Sequence, residues 1–298
     1  MSTLWNGTYT ALATPFTADG EIDHDLLCDL VDWQLQSGVD GIVPCGTTGE
    51  ASTMTNDEHT GVIESVVARV NGQAKVLAGV GGNDTRNVTI LASRALEMGA
   101  DGVLAVAPYY NKPTQAGMVA HFTAIADTVD IPLVLYNVPG RTSSNILPPT
   151  VLGLAEHPNI VGIKEASGDL GQVMTILAGR TKGFSVLSGE DDLTLAMISL
   201  GAEGVISVVS NEVPNEMSKM VRYALNGDFD LAREIHYRLL GLMNANFIET
   251  NPIPVKAALA MMGRIGEHYR LPLVPMAPLN RAKLADELKA LGLIDKGN

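Results

Sequence analysis

The amino-acid sequence predicts an α/β protein, a (β/α)8 barrel of the TIM type followed by a C-terminal helical appendage. Short apolar runs alternate with amphipathic segments as far as residue 226, and only helical patterns follow. One phrase, Gly-x-acid-Gly followed by β-branched residues, occurs three times, within 37–45, 98–108 and 200–210. Both observations are typical of repeated strand–helix units in a parallel sheet.

The repeated phrase predicts a junction between a helix and a strand. We expect its first Gly to end the helix in the left-handed conformation, which glycine adopts without strain. The acid and the second Gly then form a tight turn, and the apolar run becomes a strand buried on both faces. Before the first copy, the apolar stripe of the preceding helix consists of Leu26, Leu27, Leu30 and Val31.

Eight strands and eight helices are predicted in strict alternation. The strands are placed at 8–13, 39–44, 75–80, 102–107, 132–136, 160–164, 184–188 and 203–208. The helices are placed at 23–37, 57–70, 84–98, 114–128, 148–156, 169–179, 191–200 and 214–226. Strands that are joined by helices run parallel, and eight such units indicate a closed barrel. An open doubly wound sheet is the alternative, but its Gly-rich dinucleotide turn is missing, because "GVGGND" (79–84) lacks the required spacing.

Two parts of the chain are expected, a (β/α)8 barrel over 1–226 and a helical domain over 227–298. Three segments near the C-terminus have helical patterns with no strand between them, namely "DFDLAREIHYRLLGLMNANF", "PIPVKAALAMMG" and "LNRAKLADELKALGL". No flexible linker pattern separates the two parts, so we expect the appendage to pack on the barrel.

Composition and charge exclude several classes of protein. Apolar residues make up 46% of the 298 residues and charged residues 18%, as in a folded globular protein. The net charge of −13 repels phosphate backbones, so we expect no nucleic acid as a partner.

No stretch has the roughly 18 apolar residues of a membrane span, so no membrane partner is expected, and the start lacks a signal-peptide pattern. With two cysteines, Cys28 and Cys45, we expect no disulfide framework and a cytoplasmic protein.

Chemistry in such barrels takes place at the C-terminal ends of the strands. The predicted ends carry polar sequences, namely "CGTTGE", "PYYNKP", "LYNVPGRT", "IKEAS", "SGED" and "ISVVS". In "NIVGIKEASGD" (159–169), strand alternation puts Lys164 on the face of Gly162 and opposite to Glu165. If Lys164 points into the barrel, we expect Gly162 to leave room beneath its stem and Glu165 to point outward. A desolvated lysine favours its neutral amine, which can attack a carbonyl and form a Schiff base.

Other rim residues could act with Lys164. Tyr136 ends the neighbouring strand and could shuttle protons, while the hydroxyl groups of Thr47 and Thr48 in "GTTGE" could hold a carboxylate. Arg141 could grip a second carboxylate through a bidentate contact. Each also has a structural explanation, since exposed strand-end lysines, hydrogen-bonded rim tyrosines, helix N-cap turns and solvated arginines are common.

Three further signals are weak. The six histidines have no metal-ligand spacing, so no metal is expected. Glu190, Asp191 and Asp192 are expected to open a helix, where acidic residues are stabilising. Cys45 has no base near it in sequence and is expected to be a buried structural thiol.

Four motifs carry a resemblance to a known family. "GTTGE" (46–50), "PYYNKP" (108–113), "YNVPGRT" (136–142) and "GIKEASGD" (162–169) resemble those of the dihydrodipicolinate synthase family, and the similarity extends through the whole chain. The resemblance implies a lyase that condenses pyruvate with L-aspartate 4-semialdehyde through a lysine Schiff base, in lysine and diaminopimelate biosynthesis. It also implies that no cofactor is needed and that the protein is a homotetramer, a dimer of dimers.

The resemblance further implies roles for individual residues. It assigns catalysis to Lys164, Tyr136, Thr47 and Tyr110. It assigns substrate binding to Thr48, Arg141 and the backbone of Ile206. Lys164 would carry the Schiff base and the other three catalytic residues a proton relay, with Tyr110 reaching in from the neighbouring subunit. Arg141 would bind the carboxylate of the semialdehyde.

Relatives that L-lysine inhibits bind it at their tight-dimer interface. The corresponding positions of this chain are Ala51, Ser52, Asn56, His59, Asn83, Asn87 and Tyr109. Asn87 stands where inhibited members typically carry a glutamate, and Asn56 where many carry a histidine. We expect weak inhibition, because an asparagine supplies no charge to balance the ammonium groups of lysine.

Two other functions are left open by the sequence. Related sugar-acid lyases keep the lysine and the tyrosine but generally lack the arginine after "YNVPG", so Arg141 favours the synthase. A non-catalytic binding protein on the same barrel would be indicated by loss of Lys164, Tyr136 or a relay residue, and all of these are present.

Overall fold

The strands of the protein form one closed parallel barrel. The computed structural model describes residues 5–295, and the eight strands in that range pair in the order β1 to β8, with β8 returning to β1. The strands are β1 Gly7–Ala11, β2 Gly41–Val43, β3 Lys75–Gly79, β4 Gly102–Val106, β5 Leu133–Asn137, β6 Ile160–Glu165, β7 Ser185–Ser188 and β8 Gly204–Ser207. The predicted (β/α)8 barrel is confirmed.

Helices surround the barrel and continue beyond it. They are α1 His24–Gln36, α2 Asn56–Val70, α3 Thr85–Glu97, α4 Gln115–Thr128, α5 Pro139–Thr142, α6 Pro148–Leu154, α7 Leu170–Gly179, α8 Thr194–Ser199, α9 Pro214–Leu225, α10 Phe229–Ala245, α11 Ile253–Met261 and α12 Pro278–Ala290. The sequence missed the one-turn helix α5. The helix predicted over 191–200 begins only at Thr194, because residues 191–193 form turns.

The repeated phrase forms the predicted junctions and adds a link between strands. Its first glycines have positive φ angles, in Gly38 (80°), Gly99 (87°) and Gly201 (109°). The acid accepts a hydrogen bond from a backbone N–H of the neighbouring strand, in the pairs Asp40–Thr8, Asp101–Val76 and Glu203–Val186, at 2.8, 2.9 and 2.8 Å. The acid therefore ties adjacent strands together at the N-terminal end of the barrel as well as forming a turn.

The seam between β1 and β8 depends on glycine. Gly7 and Gly204 are register partners there. Gly204 has a φ of 153°, and a Cβ at this position would overlap the backbone of Gly7. The two strands can approach closely because Gly204 has no side chain, whereas a Cβ at Gly7 would meet the side chain of Asp40.

Within residues 5–295, the apolar core has three clusters. One fills the barrel interior, and a second lies between the strands and their surrounding helices. A third joins α8 and α9 to α10, α11 and α12, so the appendage packs on the barrel as expected. Its boundary at residue 226 stays a prediction, since this cluster includes residues on both sides of it. No helix within residues 5–295 is long and apolar enough to cross a membrane.

Candidate active site

Lys164 lies near the C-terminal end of β6 and faces the barrel interior. It is 6% exposed, and its Nζ lies 4.4 Å from the centre of the Tyr136 ring. The two residues are register partners on β6 and β5. The nine ion pairs found among residues 5–295 do not include Lys164. The amine is therefore buried without a salt-bridge partner in that part of the chain.

Glu165 points away from the amine, as predicted. Its carboxylate is buried and accepts hydrogen bonds from Asn137 Nδ2 at 3.1 Å and Gln172 Nε2 at 3.1 Å. It also accepts one from the backbone N–H of Ser167 at 2.7 Å. These bonds hold β5, β6 and α7 together, which leaves the Lys164 amine free for other contacts.

The expectation that Gly162 leaves room for the lysine stem was wrong. A Cβ at Gly162 would meet the backbone oxygen of Ser185, on β7, at 2.7 Å. The glycine beside the stem is Gly189, where a Cβ would lie 2.9 Å from Lys164 Cε. The reason is that Gly162 lies two residues, about 6.6 Å, before Lys164 along β6. Gly189 lies two residues beyond Leu187, the register partner of Lys164 on β7, so the stem meets Gly189 as it extends toward the C-terminal rim.

A small cavity surrounds the lysine amine. Its volume is about 40 Å³, room for a few water molecules, since one water needs roughly 10–15 Å³. The predicted residues that line it are Thr47, Thr48, Tyr136, Arg141 and Lys164. The barrel thus brings together five of the seven residues predicted for catalysis and substrate binding.

The other two predicted residues lie outside this cavity within the single chain. The side chain of Ile206 is buried in the barrel interior, and Val208, just beyond β8, lines the cavity instead. Tyr110 is 88% exposed and has a φ of 68°, in the left-handed region. Its position is open to contact with another molecule.

Glu190 lines the cavity and was missed by the sequence interpretation. Burial raises its pKa to about 7, while the nearby charges of Lys164 and Arg141 act in the opposite direction. The expectation that residues 190–192 open a helix was wrong. The Asp191 carboxylate instead accepts hydrogen bonds from the backbone N–H groups of Val208 and Val209, at 3.0 and 2.8 Å. The position of "SGED" at a strand end was the signal that could have identified Glu190.

Asn251 also lines the cavity, although it belongs to the C-terminal appendage. Its Nδ2 donates to Thr48 Oγ1 at 3.0 Å, and its carbonyl oxygen accepts a hydrogen bond from Arg141 Nη2 at 3.3 Å. Its Oδ1 is buried and has no hydrogen-bond partner among the described residues. Asn251 therefore connects two predicted substrate-binding residues. No local pattern could have identified it, since 203 positions separate it from Thr48.

A larger cavity of about 330 Å³ adjoins the first and shares Thr47 and Tyr136 with it. It is lined by all seven residues predicted for a lysine site: Ala51, Ser52, Asn56, His59, Asn83, Asn87 and Tyr109. Asn56 Nδ2 donates to Asn87 Oδ1 at 3.0 Å. Burial lowers the pKa of His59, whose Nε2 bonds to the Gly79 carbonyl oxygen at 2.8 Å. The seven residues form one pocket, but its ligand stays a prediction.

Two further observations concern groups that could ligate a metal and the thiol of Cys45. No group of three or more His, Cys, Asp or Glu side chains that could hold a metal ion occurs within residues 5–295. Cys45 is buried, and that burial raises the pKa of its thiol. Its Sγ lies 3.5 Å from the carbonyl oxygen of His59, which agrees with a structural thiol.

The fold and the site define a class of protein. A (β/α)8 barrel with a buried lysine beside a tyrosine at its C-terminal rim is suited to an enzyme that forms a Schiff base with a carbonyl compound. The chain belongs to the dihydrodipicolinate synthetase family, whose sequence model matches residues 4–291.

Individual relatives match over nearly the full length. The 4-hydroxy-tetrahydrodipicolinate synthase of Pelobacter propionicus is 52% identical over 291 residues, covering 98% of this chain and 100% of that protein. The crystal structure of dihydrodipicolinate synthase from Aquifex aeolicus superposes with a TM-score of 0.96 at 48% identity, covering 98% and 100% of the two chains.

Two further structures contain small molecules. A dihydrodipicolinate synthase from Acinetobacter baumannii, complexed with pyruvate, is 43% identical with a TM-score of 0.95, over 97% of this chain and 99% of that one. The enzyme from Cyanidioschyzon merolae, with lysine bound, is 39% identical with a TM-score of 0.96, over 98% and 100%.

Proposed function

We propose that the protein condenses pyruvate with L-aspartate 4-semialdehyde to give 4-hydroxy-tetrahydrodipicolinate, in lysine and diaminopimelate biosynthesis. The observation that carries this proposal is the buried amine of Lys164, 4.4 Å from the Tyr136 ring in a cavity of about 40 Å³. Relatives that match over nearly the full length carry the name of this enzyme, and the crystal structure of a related enzyme is a complex with pyruvate.

Lys164 begins the reaction as the nucleophile. Its Nζ adds to the keto carbon of pyruvate, and the keto oxygen leaves as water to give an imine. Tyr136 donates and accepts the protons of these steps, with Thr47 and Tyr110 completing the relay. Thr48 and the backbone of Ile206 hold pyruvate, and the position of Thr48 in the cavity wall supports its part of this role.

The second substrate then reacts with an enamine. Loss of a methyl proton from the imine gives the enamine, whose carbon attacks the aldehyde carbon, and the aldehyde oxygen takes up a proton. Arg141 binds the carboxylate of the semialdehyde through charge-assisted hydrogen bonds. The amine of this substrate adds to the imine carbon and displaces Lys164 Nζ, which closes the ring and frees the enzyme. One water is released overall, and the imine nitrogen supplies the electron sink without a cofactor.

We also infer a homotetramer built from tight dimers, acting in the cytoplasm. The exposed position of Tyr110 supports a role at the site of a neighbouring subunit. Exposed apolar side chains elsewhere, at Leu271 (80%) and Leu279 (72%), agree with further contacts between subunits. Cys28 and Cys45 are free thiols, which suits a reducing compartment.

Product formation from the two proposed substrates tests the function directly. Purified protein should consume pyruvate and L-aspartate 4-semialdehyde in equal amounts and form the cyclic product, identified by mass spectrometry. Lys164→Met should abolish turnover while keeping the fold. N-acetylneuraminate serves as the parallel substrate: its cleavage, without condensation of the semialdehyde, would instead identify a sugar-acid lyase.

A further inference from the structure

Glu50 and Lys256 form a fully buried ion pair between the barrel and the C-terminal appendage. Lys256 Nζ lies 2.5 Å from Glu50 Oε1, and the two side chains are 0% and 1% exposed. The same ammonium lies 4.2 Å from the ring centre of Phe16 and 5.3 Å from that of Tyr269. Desolvating two charges often costs as much as their attraction returns, so stability alone is a weak explanation for this pair.

The pair holds the end of a conformationally strained loop. Cys45 and Glu50 flank the turn formed by 46–49, and both have positive φ angles, 55° and 54°. A residue other than glycine is strained in such a conformation and keeps it only where surrounding contacts impose it. Thr47 and Thr48 lie within this turn, so their positions at the Lys164 cavity depend on those contacts.

The appendage contacts the segment 45–54, which contains this turn and is called the loop below, at three successive points. Asn251 Nδ2 bonds to Thr48 Oγ1 at 3.0 Å, and Lys256 pairs with Glu50. Arg270 Nη1 donates to the carbonyl oxygen of Thr53 at 3.1 Å. The loop is therefore held along its length by residues more than 200 positions away in the chain.

We propose that Lys256 is a positioning residue for the condensation, which acts through Glu50 to hold Thr47 and Thr48 where they receive pyruvate at Lys164. This role rests on the function proposed above. Lys256 itself is not among the residues that line the Lys164 cavity. Without its ammonium, the strained end of the loop would lose the ion pair that holds it, which the double loss of both charges would not restore. The Glu50 carboxylate would also be buried with a single hydrogen bond, from the backbone N–H of Arg270 at 3.4 Å, and this would cost stability.

Three variants separate positioning from stability. Lys256→Met preserves the length of the side chain and removes its charge. The double variant Glu50→Gln/Lys256→Met also removes the unpaired carboxylate, so it should regain stability. The matched control is Arg180→Met, which breaks the pair between Arg180 and Glu203, with an N–O distance of 2.6 Å and side chains 20% and 14% exposed. That pair lies at the opposite end of the barrel from Lys164, where Glu203 also bonds to the N–H of Val186 at the start of β7.

The readouts are steady-state kinetics, melting temperature and hydrogen exchange of peptides covering 45–54. At temperatures where each variant is folded, Lys256→Met should raise KM for pyruvate at least tenfold, because displacements of about 1 Å can cost roughly a hundredfold in rate. Exchange in 45–54 should accelerate. In the double variant the melting temperature should recover while KM for pyruvate stays high. Arg180→Met should lower the melting temperature without changing KM for pyruvate or hydrogen exchange in 45–54.

The proposal is overturned if KM for pyruvate recovers together with stability in the double variant, since the pair would then be purely structural. It is also overturned if exchange in 45–54 is unchanged in Lys256→Met. If Lys256→Met fails to fold, the double variant tests the proposal through KM for pyruvate and hydrogen exchange in 45–54. Lack of turnover in the unmodified protein would refute the proposed condensation instead, and the exchange measurement would still report on the loop.

Discussion

Tyr136 and Lys164 face each other as register partners on β5 and β6, with Lys164 Nζ 4.4 Å from the centre of the tyrosine ring. Tyr136→Phe keeps that ring contact and removes the hydroxyl group alone. We expect kcat to fall by roughly 10²–10⁴, the usual contribution of a positioned proton-transfer group. Borohydride with pyruvate should still yield an adduct on the peptide that contains Lys164, formed more slowly. An unchanged kcat would exclude Tyr136 from the proton relay.

Arg141 should select the second substrate and leave the first step intact. Arg141→Ala removes charge-assisted hydrogen bonds to the semialdehyde carboxylate, which contribute roughly 1.5–3 kcal/mol. We expect kcat/KM for L-aspartate 4-semialdehyde to fall about ten- to a hundredfold, while the rate of pyruvate adduct formation stays normal. Arg141→Lys is the matched control and should lose less, because it keeps the charge but not the planar fork. Equal semialdehyde kinetics in all three proteins would contradict this role.

Tyr110 should act across a subunit interface, as its 88% exposure in the single chain suggests. Tyr110→Phe and Lys164→Ala should each be nearly inactive as pure proteins. Mixed under conditions that exchange subunits, they should regain part of the activity, because one hybrid site contains both an intact lysine and an intact tyrosine. Hybrids proven by mass spectrometry but without activity would indicate a site completed within one chain.

Feedback inhibition by L-lysine should be weak. In the larger cavity Asn56 Nδ2 donates to Asn87 Oδ1 at 3.0 Å. Both side chains are neutral amides, so neither offers a charge to an ammonium group. Asp84 is the acidic residue among the described residues that line this cavity, and its carboxylate already caps α3 by accepting from Arg86 N–H at 3.1 Å.

Initial-rate titrations with lysine check this expectation. Asn87→Glu should lower the inhibition constant about ten- to a hundredfold, in line with roughly 1.5–3 kcal/mol for hydrogen bonds to charged groups. Asn87→Gln, which adds length without charge, should not. Strong inhibition of the unmodified protein at submillimolar lysine would show that the charge argument is wrong.

Stability should decrease with pH because of Glu190. Burial raises its pKa from 4.5 to about 7, so the folded protein binds this proton more tightly than the unfolded chain does. The free energy of unfolding therefore loses this contribution as the pH rises from about 4.5 to about 7. Glu190→Gln removes the effect, and its melting temperature relative to the unmodified protein should increase across that window. Glu156→Gln, at an exposed carboxylate outside the Lys164 cavity, is the control and should leave the contribution of Glu190 in place.

Much of the fold follows from local patterns. The repeated glycines predicted the junctions now seen at Gly38, Gly99 and Gly201, because the left-handed conformation is a property of the residue itself. Strand ends could be predicted from apolar runs, and barrel geometry then collected Thr48, Tyr136 and Lys164 at one rim. A residue can be predicted in this way when its role depends on its own strand.

The contacts that complete the site could be decided only by tertiary structure. Gly189, rather than Gly162, makes room for the lysine, because the height of one strand against the next sets which glycine meets the stem. Lys256 and Glu50 are 206 positions apart, and the sequence around each residue indicates only an ordinary charged side chain. The sequence by itself therefore determined the barrel and the lysine at its C-terminal rim. The packing of the appendage decided how the loop beside that lysine is held, since burial and pairing of charges depend on which distant surfaces meet.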